Sequence, residues 1–176
     1  MALADTLQEF VANKYGTRTV EEQAETVAMG FVKQRPDYLY AGRQAGPVED
    51  NSKKVQFNNK QVTVFDVRNN VVTKLNKSEW TGYHAEMIVF SGMLAAFEID
   101  ATKSSISNLK NTLKDYEIAI CANAPCCKHC AIFLTAVGIK YKNKSSNAGN
   151  TGWWNPVKDK AAAHGSEEFN KDIPFE

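Results

Sequence analysis

Hydrophobic positions change their spacing several times along the chain, and each change marks an element. In LADTLQEFVANKYG, Leu3, Leu7, Phe10 and Val11 recur at helical spacing and predict an opening helix. Thr19 then stands as an N-cap before VEEQAETVAMGFVKQ and predicts a second, so that the first 35 residues read as two helices. Asp37 to Ser52, preceded by Pro36 and interrupted by Gly42, Gly46 and Pro47, reads as irregular connection. In QVTVFDVRNNVVTKL two β-branched runs flank Arg68-Asn69-Asn70, and asparagine tolerates left-handed backbone angles, so a β-hairpin is expected over 61–75. From His84, HAEMIVFSGMLAAFEI is apolar on every side and rich in helix formers, the pattern of a buried helix. YEIAIC reads as a compact strand, CKHCAIFLTAVG as a second buried helix stopped at Gly138, and IKYK as a short strand after it. Beyond Lys144, GNTGWWNPVKDKAAAH predicts a turn, an aromatic pair and a helix after Pro156. Strand and helix alternate through the middle of the chain, which is an α/β layer pattern.

Composition adds limits to this picture. A chain of 176 residues, 43% hydrophobic and 23% charged, is sized and balanced for one folded domain, 1–176. No run approaches the roughly 18 apolar residues that span a bilayer, and MALADTLQEF lacks a basic stretch followed by an apolar one, so no membrane association is expected. The net charge of +1 says little, but its distribution is uneven: residues 51–77 carry Lys53, Lys54, Lys60, Arg68, Lys74 and Lys77 against Asp66 alone. Such lysines suit a solvated surface or a face that tracks phosphates.

The four cysteines, Cys121, Cys126, Cys127 and Cys130, lie within ten residues and cannot staple distant parts of the chain. That clustering points to metal binding or thiol redox chemistry. Some forty residues before them stands His84-Ala85-Glu86, and the cluster itself reads Pro125-Cys126-Cys127-Lys128-His129-Cys130. One histidine with two thiolates is a set that holds a catalytic zinc and leaves a fourth position for water. C-x-x-C at a helix start puts two sulfurs in one turn, where unpaired N–H groups favour thiolate. His84 and Glu86, two residues apart, would point about 200° from one another on a regular helix. They can share a site only off the helix N-terminus, which is where the apolar run begins. Two registers keep the two-residue gap, Cys127 with Cys130 and Cys126 with His129. The inward helical face continued by Ala131, Leu134 and Gly138 favours the first, and the second stays open.

The combination resembles the H-x-E with P-C-x-x-C signature of the zinc nucleobase deaminases, the cytidine-deaminase superfamily. The resemblance covers residues 60–145, a catalytic core, and excludes a helical extension over 1–50 and a turn and helix over 146–176. It departs from the family in one respect, since the family's proline directly precedes the first ligand cysteine and here Pro125 precedes Cys126. It implies a three-layer α/β fold with a mixed sheet of about five strands covered by helices, and Zn2+ held by His84, Cys127 and Cys130. Glu86 would be the proton carrier that turns water into the nucleophile and the amine into a leaving group. Trp80, Tyr83, Ala85, Pro125 and Cys126 would surround the bound base, although Trp80 and Tyr83 could equally pack the loop. Cys121, Trp153 and Trp154 are expected in the core, His164 on the surface, and Asn58 and Asn59 in a turn or against a ribose.

Within the superfamily the sequence looks most similar to the bacterial polymorphic-toxin deaminases, the YwqJ-like branch. That likeness implies cytosine in single-stranded DNA or RNA as substrate, an immunity protein as partner, and action in a reducing cytoplasm reached by secretion. Two other readings stand beside it. The near-neutral charge and the lack of an arginine patch fit a metabolic deaminase of a free nucleoside, nucleotide or base. A non-catalytic zinc-stabilised binding domain would instead close the metal with a fourth ligand, His129 or Cys126.

Overall fold

A computed structural model describes residues 2–19, 25–71, 83–142, 153–157 and 160–162. The chain opens with helix α1, Leu3–Tyr15, which buries Leu7 and Val11 as its spacing predicts. Strands β1, Val27–Val32, and β2, Tyr38–Arg43, follow. Residues 20–24 of the expected second helix lie outside the described residues; the rest of it holds a strand, and part of the expected connection is another. The cause is burial: β1 lies inside the sheet with Val27, Met29 and Phe31 packed on one face and Ala28 and Val32 on the other. A strand covered on both sides shows no apolar-polar alternation, so VAMGFV fits either period.

Strands β3, Lys54–Phe57, and β4, Lys60–Asp66, form the hairpin. Its turn is Asn58-Asn59, both left-handed with φ of 53° and 61°, rather than Arg68-Asn69-Asn70. Two left-handed residues between paired strands match the right-handed strand twist. After β4 the chain enters helix α2, Val67–Val71, because the buried Asp66 carboxylate accepts from Arg68 N (3.0 Å) at the new helix start and from Val48 N (2.8 Å) across the fold. Residues 72–75 of the expected hairpin lie outside the described residues.

Helix α3, Ala85–Ala96, begins one residue after His84, as the sequence indicates. Helix α4, Ile106–Leu113, is an element the sequence reading omitted, although Ser105 caps it and Ile106, Leu109 and Leu113 have helical spacing. Strand β5, Ile118–Ala122, and helix α5, Lys128–Ala136, fall where expected, and Gly138 with φ of 80° ends the run. The expected IKYK strand is reduced to one parallel bridge, Ala119 to Lys140. The expected helix after Pro156 is instead a hairpin of β6, Trp153–Asn155, and β7, Lys160–Ala162.

The sheet runs β3-β4-β2-β1-β5 and is mixed, since β2 and β4 are parallel while the other neighbours are antiparallel. Leu7 and Val11 of α1 pack on one face against Met29, Phe31, Leu39 and Cys121; α3 and α5 pack on the other against Ala28, Tyr40 and Ile120. Gly30 and Gly42 let α3 approach: a Cβ at either would stand 2.9 Å from a carbon of Val89 or Ile88. No helix among the described residues is long and apolar enough to cross a membrane.

Candidate metal centre

Two helix starts meet at one end of the sheet. His84 is the N-cap of α3 and Cys127 the N-cap of α5, each in extended backbone conformation just outside its helix. That geometry resolves the angular problem posed by His-x-Glu: His84 precedes the helical turn and Glu86 stands inside it, so both reach the space off the helix tip. Cys130 lies in the first turn of α5 and its N–H donates to Cys127 Sγ at 3.3 Å.

His84 Nδ1 lies 3.2 Å from Cys127 Sγ and 3.4 Å from Cys130 Sγ, and the three ligand atoms are all within 4.8 Å of one another. An ion bound tetrahedrally at 2.0–2.3 Å would hold such atoms about 3.5–3.8 Å apart, so this group could hold a metal after small adjustments. All three residues are buried. Nε2 of His84 is also buried and has no hydrogen-bond partner among the described residues, which leaves Nδ1 to orient the ring toward the sulfurs. Of the two registers open in the sequence, the structure gathers Cys127 with Cys130. His129 is buried elsewhere on α5 with its ring 6.2 Å from that of Trp153, and Cys126 hydrogen-bonds to Glu86.

The protons are divided unequally. Hydrogen bonds from Cys130, opposed by burial and reinforced by His84, hold the Cys127 thiol well below its ordinary value. Burial, then the neighbouring Cys127, pushes the Cys130 thiol well above it. Burial pulls the His84 imidazole down, but hydrogen bonding to Cys127 and its charge more than offset this and raise it. Two sulfurs sharing one proton beside an imidazole need lose only that proton, to solvent, for both thiolates to bind a divalent cation. Glu86 is buried, and that burial, with the charge of Cys127, pushes its carboxyl up to about 7.

A depression beside these groups is lined by Thr26, His84, Ala85, Glu86, Ala124, Pro125 and Cys127. It is partly open to solvent, and its cavity volume is about 10 Å3. That cavity is the size of one water molecule. Of the residues expected around a base, Ala85 and Pro125 line the depression. Cys126 is buried beside Glu86, and Trp80 lies outside the described residues. Tyr83 is 2% exposed, with its ring 5.5 Å from Trp154 and its carbonyl accepting from Gln44 Nε2. Thr26 and Ala124 were not anticipated. Thr26 was hidden by the helix expected across β1, whereas Ala124 could have been found from its place between a strand end and the cysteine cluster.

The tryptophans join the two halves of the site. Trp153 is fully buried against Phe133 and His129 of α5, while Trp154 faces Tyr83, immediately before His84. Cys121 is buried, as expected of a core residue, and Asn58 and Asn59 make the β3–β4 turn. His164 lies outside the described residues. No family model matches the chain, and no curated protein and no solved structure matches it.

Proposed function

We propose that this chain is a zinc-dependent hydrolytic deaminase that removes the exocyclic amine of a nucleobase, with cytosine in single-stranded nucleic acid as its substrate. The observation that carries the reading is the convergence of His84, Cys127 and Cys130 at two helix starts, with Glu86 beside them at a cavity of one water. The mixed sheet, with two ligand-bearing helices beginning at one of its ends, supports a deaminase-type fold.

A zinc ion held by His84 Nδ1 and the two sulfurs would supply the positive charge that lowers the pKa of a water towards neutrality. Glu86 is outside the ligand group and free to carry protons. It would take one proton from the water whose oxygen bonds to the amine-bearing ring carbon and deliver it to the adjacent ring nitrogen; it would then take the proton of the new hydroxyl and give it to the amine, so that the C–N bond breaks, a carbonyl forms and ammonia leaves. A carboxyl that burial holds above its ordinary value can serve as both base and acid in one cycle. The Cys126 hydrogen bond steadies that carboxylate. Ala85 and Pro125 shape the wall against which a base would lie.

A closed structural zinc predicts His129 or Cys126 as fourth ligand. Among the described residues the group has three members and neither is one of them, which favours the open site. The near-neutral charge favours a second reading, a deaminase of free nucleosides or nucleotides. A bacterial toxin with an immunity protein as partner is the setting that the sequence resemblance supports. Zinc-loaded protein and its Glu86→Gln variant, incubated with cytidine, adenosine, guanine and single-stranded DNA and RNA, distinguish these readings by mass spectrometry. Deamination of an oligonucleotide that the variant abolishes supports the proposal. Activity on free cytidine alone moves it to the second reading, and inactivity of zinc-loaded protein on every substrate contradicts it.

A further inference from the structure

A second cavity, open to solvent on one side, lies away from the metal centre, at the far end of α3, some 18 Å along a helix of 12 residues. It measures about 440 Å3 and is walled by Arg35, Tyr38, Tyr40, Phe65 and Phe97. A volume of that order accommodates a small organic ligand.

Its walls are chemically specific. Tyr38 meets Phe65 at 5.9 Å and 71°, Tyr40 meets Phe65 at 5.7 Å and 69°, and Tyr40 meets Phe97 at 5.7 Å and 88°. These are edge-to-face contacts, so none of these rings is stacked flat on another, and Tyr38 is 42% exposed. The exposed Tyr38 ring offers a surface on which a planar heterocycle of any sequence can stack. The Arg35 guanidinium lies 4.3 Å from the Phe97 ring centre and makes no ion pair among the described residues. One face of the guanidinium is occupied while its N–H edges keep their donor capacity, an arrangement suited to phosphate. Asp37 also lines the cavity, at its exposed rim, and lies 4.0 Å from Lys60.

We propose that this cavity is a second binding site, for a nucleotide, with the base against the Tyr38 and Phe65 rings and the phosphate on Arg35. The proposal does not rest on the reading of the metal centre. The ligand could come as a free mononucleotide or as one residue of a single strand; the chemistry recognised is the same.

Calorimetric titration of zinc-loaded protein with uridine monophosphate and with hexathymidylate separates those sources. Saturable binding is expected, weakened at least tenfold by Arg35→Gln and by Tyr38→Ala. Binding of the mononucleotide identifies a free-ligand site; binding of the oligomer alone identifies a strand contact. A measurement on the unaltered protein guards against misfolded variants: photo-crosslinking with 4-thiouridine monophosphate should label Tyr38 or a neighbouring cavity residue. The proposal is overturned if neither ligand saturates, if both cavity variants bind as the parent does, or if the crosslink falls at the metal centre.

Discussion

Glu86 is the residue on which the proposed chemistry and the stability of the fold conflict. Its carboxyl is raised from 4.5 to about 7, so the folded, metal-free protein binds a proton there more tightly than the unfolded chain does. Stability from that difference is full below about pH 4.5 and is lost as pH rises through about 7. Glutamine at this position carries no charge to desolvate. Metal-free Glu86→Gln should therefore exceed the parent in urea stability by about 2–3 kcal/mol at pH 8, with no difference at pH 4. The same change should lower turnover by about 10²–10⁴-fold or more while zinc content stays at the parental level. Cys127→Ser removes the thiolate that the surroundings favour most, and metal analysis after dialysis against a weak chelator should find it stripped where the parent keeps zinc. At this scale the sequence was informative: His84, Glu86, Cys127 and Cys130 stand out by chemical type and spacing. Thr26 did not, because a threonine next to an apolar run carries no chemical signature of a site.

At the scale of elements, the site depends on how closely two helices seat on the sheet. Gly92 lies under Val67, and a Cβ added there would stand 2.3 Å from the Val67 Cβ. Gly92→Ala should destabilise by about 1–3 kcal/mol or more in urea unfolding, because α2 and α3 must move apart. Trp153→Ala removes the ring that fills the space over α5 and should cost about 3–5 kcal/mol. Zinc affinity, read by competition with a colorimetric chelator, should fall in the same variant, since Trp153 and its neighbour Trp154 hold the two ligand-bearing segments together. The helices α1, α3 and α5 were legible because each has either helical spacing on one face or a capping residue before a long apolar run. Strands β1 and β2 were not. Burial on both faces erases alternation in VAMGFV, and Gly42, which reads as a loop residue, is small because Ile88 presses on the strand. The hairpin was displaced because Asn58-Asn59 and Asn69-Asn70 offer the same turn chemistry. Pairing of β3 with β4 selects the first, and Asp66 turns the second into a helix start.

Across the whole molecule, a three-layer packing fixes the two helix starts against one sheet end, and a metal there would tie α3 to α5. Zinc should then raise the melting temperature, by an amount corresponding to about 4 kcal/mol at a thousandfold excess over its dissociation constant, and a chelator should reverse the gain. The account stands most directly on what surrounds that zinc, which X-ray absorption at the zinc edge measures in solution. One zinc per chain with two sulfurs near about 2.3 Å and two nitrogen or oxygen neighbours near about 2.0–2.1 Å is the result expected, one neighbour being His84 and the other exchangeable solvent. A third sulfur, a second histidine in the first sphere, or a chain that retains no zinc would contradict it.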